Sequence, residues 1–186
     1  MAEGKRTLIF NGSPRRNGDT AALLAVLQGA LTGETRVVDC FRADISPCVD
    51  CRRCRETAGC VIPDAMQEVY RYLQDCDNVV VASPIYYAEL TGRLLDVASR
   101  FQTYYSARRF RGEDPGLRPK KGGVVLVGGG DGDPARPCAT AKLILRGLNA
   151  REIYPLVCSH DTDRLPAAED KEAIRAVEAL AGFLNG

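Results

Sequence analysis

The chain contains 186 residues, and its 25 lysine and arginine residues nearly balance its 24 aspartate and glutamate residues, which leaves a formal net charge of +1. A chain of this length buries about 70 per cent of its unfolded surface around one core, so we expect a single domain over residues 1–186. The charge argues against a nucleic acid or an anionic membrane as partner, and no apolar run approaches the roughly 18 residues of a membrane span. The apolar stretch after the basic N-terminal residues is far shorter than an export signal requires. We therefore expect a cytoplasmic protein with a small substrate.

The first segment with a clear pattern is an apolar run over residues 7–10 that breaks into a loop of small polar residues, 11–20. This pattern predicts a strand, a tight turn and the start of a helix, in which Gly12 and Gly18 allow a backbone path that other residues resist. A helix N-terminus carries roughly half a positive charge and free amides, so the loop predicts a phosphate site. The residues expected to bind there are Ser13, Arg15, Asn17, Gly18, Asp19 and Thr20.

Two common nucleotide-binding patterns are missing from this loop, because it has neither the Gly-Lys-Ser/Thr of a P-loop nor a G-x-G-x-x-G motif. The plain alternative is a polar turn that only caps a helix, but the number of convergent donors favours a phosphate site. The segment Gly12-Ser13-Pro14-Arg15, with Asn17 and Thr20 behind it, resembles the phosphate loop of the flavodoxin-like NAD(P)H-dependent FMN reductases. The resemblance implies that the loop binds the phosphate of FMN.

The next segments predict a parallel α/β domain. Leucines at helical spacing predict a helix over residues 21–31, and the pair Val37-Val38 predicts a short strand within residues 34–41. A strand, a helix and a second strand form the parallel crossover unit of such domains. The phosphate loop is therefore expected at the carboxyl edge of the sheet.

Four of the eight cysteines fall within thirteen residues, in the spacing C-x2-C-x2-C-x5-C. They are Cys48, Cys51, Cys54 and Cys60. In a chain without an export signal a disulfide framework is not expected, and this spacing lets a compact loop turn its thiolates toward a common centre. A [4Fe–4S] cluster fits best. Zinc, whose ligands usually come as two short pairs, and metal-free redox or structural thiols are the alternatives.

Together with the phosphate loop, this motif resembles the iron–sulfur flavoproteins, a branch of the FMN reductase family with a compact cysteine motif for a [4Fe–4S] cluster. The resemblance places the four cysteines at the ligand positions, in a cysteine-rich insertion at residues 46–62. The last gap in the spacing differs from the ferredoxin run, and no proline follows Cys60.

The continuous apolar run at residues 78–82 predicts a central parallel strand that is buried on both faces. The segment Ser83-Pro84-Ile85-Tyr86-Tyr87 follows it directly. In the FMN reductases a Ser-Pro-x-Tyr segment after a central strand borders the isoalloxazine ring, so the resemblance implies contacts from Pro84, Ile85, Tyr86 and Tyr87. The plain alternative is that the two tyrosines only pack the rim of the loop.

A long helix is predicted over residues 91–105, followed by aromatic and arginine side chains of the kind that interfaces use. The resemblance implies that this helix helps to form a homodimer or a tetramer in which the cysteine loop of one subunit lies near the flavin of another. A solvated basic helix end is the alternative.

The last third of the chain predicts a buried strand at residues 123–127 followed by a glycine run, a helix at 139–148, one strand at 152–158 and a terminal helix at 168–184. Glycines after a buried strand indicate close approach of a ligand, so Gly128, Gly129 and Gly130 are expected at the flavin ring edge. The single histidine, His160, is left off the site. The remaining four cysteines are expected to be small apolar core residues.

These features predict an α/β protein with a flavodoxin-like, doubly wound sheet of five parallel strands in the order 2-1-3-4-5 and helices on both faces. The predicted function is that of an FMN-dependent oxidoreductase or electron-transfer flavoprotein with a [4Fe–4S] cluster, which passes electrons from NAD(P)H or a ferredoxin-like donor to an unidentified acceptor. No catalytic side chain is expected, since the flavin supplies the chemistry. The alternatives are a cluster-free NAD(P)H:FMN or quinone reductase, a non-catalytic FMN carrier or redox sensor, and a zinc-stapled nucleotide-binding module.

Overall fold

The computed structural model describes residues 4–186, so the first three residues of the predicted domain lie outside it. Its centre is a parallel sheet in the order β2-β1-β3-β4-β5, as predicted. The strands are β1 (Thr7–Asn11), β2 (Thr35–Asp39), β3 (Asn78–Pro84), β4 (Lys120–Val127), β5 (Ala150–Ile153) and β6 (Val157–Ser159).

Helices cover both faces of the sheet. They are α1 (Asp19–Ala30), α2 (Met66–Asp75), α3 (Gly92–Ser99), α4 (Gln102–Ser106), α5 (Ala135–Gly147) and α6 (Lys171–Asn185), with a short 3₁₀ turn at Arg53–Arg55 and a π-helical turn at Ala107–Arg111. The faces alternate along each central strand. Ile9 and Val80 pack with α1 and α6, whereas Leu8 and Val79 pack with the helices of the opposite face. No helix within the described residues is long and apolar enough to cross a bilayer.

The last predicted strand is divided in two. The expected single strand at residues 152–158 is replaced by β5 and β6, which both pair with β4 and are separated by residues 154–156. The amide of Tyr154 still donates to the Gly122 carbonyl (2.9 Å), but Pro155 has no amide hydrogen to continue the ladder.

The predicted long helix is also interrupted. It ends at Ser99, and α4 begins only at Gln102. At the interruption, the Arg100 carbonyl accepts a hydrogen bond from Tyr70 Oη (2.8 Å). The Arg100 side chain donates to the Ser46 carbonyl at the start of the cysteine-rich loop. The helix is therefore interrupted where Arg100 makes these two distant contacts, which the helical pattern in the sequence does not reveal.

Candidate functional site

The loops that follow β1, β3 and β4 border a cleft of about 230 Å³ at the carboxyl edge of the sheet. Nine of the thirteen residues predicted to bind the cofactor line it: Ser13, Arg15, Gly18, Asp19, Thr20, Pro84, Ile85, Tyr86 and Gly129. Three further residues, Val127, Thr162 and Asp163, also line it and were not predicted. Asn17, Tyr87, Gly128 and Gly130 are not among the residues that line the cleft.

The first loop is fixed to the helix α3 through Gly12. A β-carbon at this position would lie 2.7 Å from Leu94 Cδ1, a separation that real contacts do not show. The Thr91 hydroxyl donates to the Gly12 carbonyl (2.8 Å), and the Gly12 amide donates to the Ala82 carbonyl (2.8 Å). Glycine is therefore required here so that the loop can approach the helix.

Ser13 lies in a preformed turn at the floor of the cleft. Its amide donates to Asn11 Oδ1 (2.9 Å), and its hydroxyl lies 3.3 Å from both the amide and the carbonyl of Arg15. The side chain is almost fully buried, so its hydroxyl points within the loop rather than into bulk water. Arg15 is exposed at the rim and adds a cationic group.

The N-terminus of α1 is open to a ligand. Gly18 is the N-cap, and no side chain in the described part of the chain caps the first turn. First-turn amides without a partner attract an anion, and the helix dipole favours the same charge. Asp19 stands in this turn, but its Oδ1 accepts a hydrogen bond from the Ala167 amide (2.9 Å), so this carboxylate anchors the loop before α6.

The segment after β3 contributes Pro84, Ile85 and Tyr86 to the lining of the cleft, and several of its amides are used within the protein. The amide of Ile85 donates to the Val127 carbonyl (2.8 Å), and the amides of Tyr86 and Glu89 pair with each other's carbonyls. The two residues between them, Tyr87 and Ala88, have left-handed backbone φ angles of 51° and 55°. In this tight turn the Tyr87 ring is fully exposed, whereas Tyr86 lines the cleft.

The glycine run after β4 pairs with the loop that follows β6. Thr162 and Asp163 donate their amides to the carbonyls of Gly128 and Gly129 (3.1 Å each). A β-carbon at position 129 would lie 2.8 Å from Asp163 Oδ2. Of the three glycines, Gly129 is the one at which a β-carbon would crowd the contact between the two loops, and it is also the one that lines the cleft.

The four clustered cysteines line a second, smaller cavity of about 50 Å³, together with Arg100 and residues of α4. None of the eight cysteines forms a disulfide in the described structure. Within residues 4–186 no group of three or more histidine, cysteine, aspartate or glutamate side chains converges on a point that could hold one metal ion. Cys48, Cys51, Cys54 and Cys60 therefore share one cavity but are not arranged around a single metal ion.

The base of the cysteine loop is held by a buried ion pair. Arg100 Nη1 lies 2.5 Å from Asp64 Oδ2, and the two side chains are 0% and 7% exposed. Arg100 also donates to the carbonyl of Ser46, at the start of the loop (2.8 Å), and of Ile62, at its end (3.5 Å). Burial alone would raise the pKa of Asp64, but hydrogen bonds from Arg100 and two backbone amides hold this pKa below its usual value.

The rest of the loop is supported by side chains from its surroundings. The Cys48 amide donates to Ser99 Oγ (2.9 Å), Cys54 Sγ lies 3.3 Å from Ser106 Oγ, and Gln67 Nε2 donates to the Cys60 carbonyl (2.8 Å). Left-handed φ angles at Asp50 and Arg52 turn the chain between the cysteines. These contacts and turns hold the loop in place around the cavity.

The sequence profile of the NADPH-dependent FMN reductase family matches residues 6–162. The chain belongs to this family. An iron–sulfur flavoprotein of Archaeoglobus fulgidus is 30% identical over 148 residues, which cover 78% of this chain and 63% of the relative. One of Methanosarcina thermophila is 30% identical over 123 residues, which cover 64% of this chain and 61% of the relative. The predicted family and branch are confirmed. The chain spans less than two thirds of the length of these curated relatives.

Solved structures confirm the flavodoxin-like fold of this FMN reductase family member. An NAD(P)H:quinone oxidoreductase from Methanothermobacter marburgensis has a TM-score of 0.73 at 15% identity, with 100% of this chain and 98% of that chain covered. An FMN-dependent NADH-azoreductase from Bacillus anthracis, solved in complex with FMN, has a TM-score of 0.68 at 14% identity, with 98% and 100% covered. At these identities the likeness concerns the fold alone.

The other four cysteines of this FMN reductase family protein lie apart from the cavity. Cys40, Cys76 and Cys138 are buried, and Cys158 is half-buried against the same core. Burial raises the pKa of Cys40 to about 12 and the pKa of Cys76 and Cys158 to about 11. Thiols with such pKa values are poor nucleophiles at neutral pH, so these cysteines act as core residues, as predicted.

Proposed function

We propose that this chain is an FMN-dependent oxidoreductase that holds a [4Fe–4S] cluster at Cys48, Cys51, Cys54 and Cys60 and passes electrons from NAD(P)H or a ferredoxin-like donor to an acceptor. One observation carries the proposal. This chain of the FMN reductase family has both a cleft at an uncapped helix N-terminus and a separate cavity lined by four cysteines.

The residues of the cleft fit FMN. The first-turn amides of α1 and the guanidinium of Arg15 supply donors and positive charge for a phosphate, and the internally bonded turn at Ser13 lines the cleft beside them. Pro84, Ile85 and Tyr86 supply apolar and aromatic surface on the opposite side, as a flat ring system requires. FMN, when bound, supplies the electron chemistry, and the protein binds and orients it and shields it from water. Such a division of labour needs no acid–base pair.

The cysteine cavity fits a cluster better than a zinc ion. Zinc ligands usually come as two short pairs separated by a longer segment, whereas three of these cysteines follow one another in the spacing C-x2-C-x2-C. In a [4Fe–4S] cluster each cysteine binds a different iron, so the ligands surround a larger body. Arg100 also lines the cavity, and its buried positive charge offsets part of the negative charge that four thiolates bring.

A second copy of the chain is the proposed macromolecular partner, as a homodimer or a tetramer. An apolar groove of about 400 Å³ lies between α4 and α5, with Tyr105 and Leu143 half or more exposed along it. Exposed apolar surface of this kind is typical of interfaces. Sedimentation analysis of the wild type and of Leu143→Glu tests this proposal, since the charged variant is expected to sediment as a smaller species.

A cluster-free NAD(P)H:FMN or quinone reductase is the second candidate, because the four thiols do not form a ready-made metal site within residues 4–186. Iron, acid-labile sulfide and FMN per chain, measured on protein purified without oxygen, separate the two. We expect about four iron, about four sulfide and one FMN. Flavin without iron would support the cluster-free reductase, and zinc in a colourless protein would support a zinc-stapled module.

Stopped-flow reduction by NADPH, NADH and reduced ferredoxin identifies the donor. Reduction by a nicotinamide at a catalytically useful rate is expected of a reductase. An FMN carrier or redox sensor would instead not react with free nicotinamides and would exchange electrons only with a protein partner.

A cytoplasmic location also stays a prediction.

A further inference from the structure

Arg100 has one hydrogen-bond donor more than the protein has acceptors for it. A guanidinium carries five N–H groups, which all donate and which keep their charge in proteins. Four of them are matched: Nη1 donates to Ser46 O and Asp64 Oδ2, and Nη2 donates to Ile62 O and Asp64 Oδ1. The fifth, on Nε, has no acceptor within residues 4–186, although the side chain is fully buried.

The position of this unmatched donor indicates its partner. Arg100 lines the cavity that the four cysteines share. Cys60 lines the same cavity, two residues before the Ile62 carbonyl that accepts from Arg100 Nη2 (3.5 Å). Buried donors in folded proteins almost always have an acceptor, and an unmatched one calls for a group that occupies the adjacent space.

We propose that Arg100 Nε donates a hydrogen bond to a sulfur atom of the cluster held by Cys48, Cys51, Cys54 and Cys60, and thereby raises the reduction potential of that cluster. This inference rests on the proposed [4Fe–4S] cluster. Arg100 then has two roles. It clamps the start and the end of the loop through Ser46 and Ile62, and it acts on the electronics of the group inside the loop.

The direction of the effect follows from electrostatics. Reduction adds one negative charge to a cluster with four thiolate ligands, and a hydrogen bond from a cationic donor stabilises the more negative state. Because the guanidinium is buried, water screens this interaction only weakly. The arginines on the exposed part of the loop, such as Arg55, are solvated, so they act on the potential much less.

The test compares two charge-conserving substitutions in the holoprotein, purified without oxygen. Arg100→Lys keeps a positive charge opposite Asp64 but has no Nε–H donor. Arg55→Lys is the matched control, because Arg55 lines the same cavity yet is exposed, with its guanidinium over the Phe110 ring. The midpoint potential of the cluster is measured by titration with EPR detection, and iron and sulfide per chain are measured on the same samples.

We expect Arg100→Lys to retain the cluster with a more negative midpoint potential, while Arg55→Lys matches the wild type. If Arg100→Lys retains the cluster at the wild-type potential, Arg100 is only a clamp and the inference is wrong, although the proposed function stands. If the wild type holds FMN but no iron and sulfide, the inference and the proposed cluster are both wrong.

A second measurement keeps the test independent of the stability of Arg100→Lys. Wild-type protein is labelled with arginine that carries ¹⁵N only at Nε, and the reduced cluster is examined by pulsed EPR. We expect a ¹⁵N coupling together with an exchangeable proton, and both should persist in Arg55→Lys. A reduced cluster without any coupling to an arginine Nε overturns the inference.

Discussion

Substitution of Gly12 by alanine tests whether the phosphate loop has to lie directly against α3. The new β-carbon would stand 2.7 Å from Leu94 Cδ1 and 3.0 Å from both Leu94 Cβ and Thr91 Oγ1. Non-bonded carbon atoms prefer about 3.5–4.0 Å, so the loop and the helix have to separate by a few tenths of an ångström. The Leu94 methyl group can rotate, but Leu94 Cβ is fixed to the helix backbone and cannot move away alone.

The expected cost follows from overpacking at a buried contact. Added volume in a packed core destabilises by about 1–3 kcal/mol, and the hydrogen bond from Thr91 to the Gly12 carbonyl is stretched as well. Because the displaced segment carries Ser13, we also expect FMN to bind about tenfold more weakly, which corresponds to about 1.4 kcal/mol.

Urea unfolding of the FMN-free protein and titration with FMN, followed by quenching of flavin fluorescence, measure the two effects. Gly29→Ala is the control, since no atom lies within 4 Å of the added β-carbon in the last turn of α1. This control is expected to keep the wild-type stability or to gain a little, as alanine is favoured over glycine in a helix. Equal stability and equal FMN affinity in Gly12→Ala and the wild type would refute the close-packing argument.

Three further predictions follow from the same structure. Tyr86→Ala is expected to weaken FMN binding several-fold and Tyr87→Ala to leave it unchanged in titrations, because only Tyr86 lines the cleft; the reverse order would contradict this placement. Asp64→Asn is expected to lose about 3–5 kcal/mol in urea unfolding at neutral pH, since it leaves Arg100 buried without its partner. Folding lowers the pKa of Asp64, so its ionised form adds to the free energy of unfolding above the unfolded pKa of about 3.9. This contribution is lost as pH falls through the folded pKa. A wild type whose stability does not change with pH in that acid range would contradict this prediction. In cluster-free protein at pH 8, we expect four thiols to react rapidly with a disulfide reagent and the other four to react slowly. The rapid set is Cys48, Cys51, Cys54 and Cys60. A different division would contradict the positions of the cysteines in the structure.

The sheet order was predictable because its signals are local. Continuous apolar runs such as residues 78–82 mark strands that are buried on both faces, and the intervening helical periodicity imposes parallel crossovers. The phosphate loop was predictable for the same reason, since one contiguous segment, residues 11–20, provides both the turn glycines and the helix start.

The parts of the site that the sequence did not reveal depend on distant contacts. Thr162 and Asp163 reach the cleft because their amides pair with the carbonyls of Gly128 and Gly129, more than thirty residues away. Their position after the last strand, at the carboxyl edge, was the available signal. Tyr87 was predicted to lie at the cleft together with its neighbour Tyr86, but its backbone has a left-handed φ angle and its side chain is exposed.

Arg100 shows why a helical pattern can be incomplete. Its place among apolar residues continues the periodicity of the helix, and the sequence around it contains no proline or glycine. The interruption reflects the contacts of Arg100 with Asp64, Ser46 and Tyr70, which lie 30 to 54 residues away. Local propensity was outweighed by a buried network.

The most direct test of the account is the affinity of the FMN-free protein for FMN compared with riboflavin, measured by titration calorimetry. The two flavins share the ring system and differ in the phosphate, so their difference in affinity isolates the loop at the start of α1. We predict one FMN per chain and a loss of about 100-fold or more with riboflavin, as expected for an anion held by several backbone amides and a cationic side chain. Equal binding of the two flavins, or no binding of FMN, would contradict the central claim.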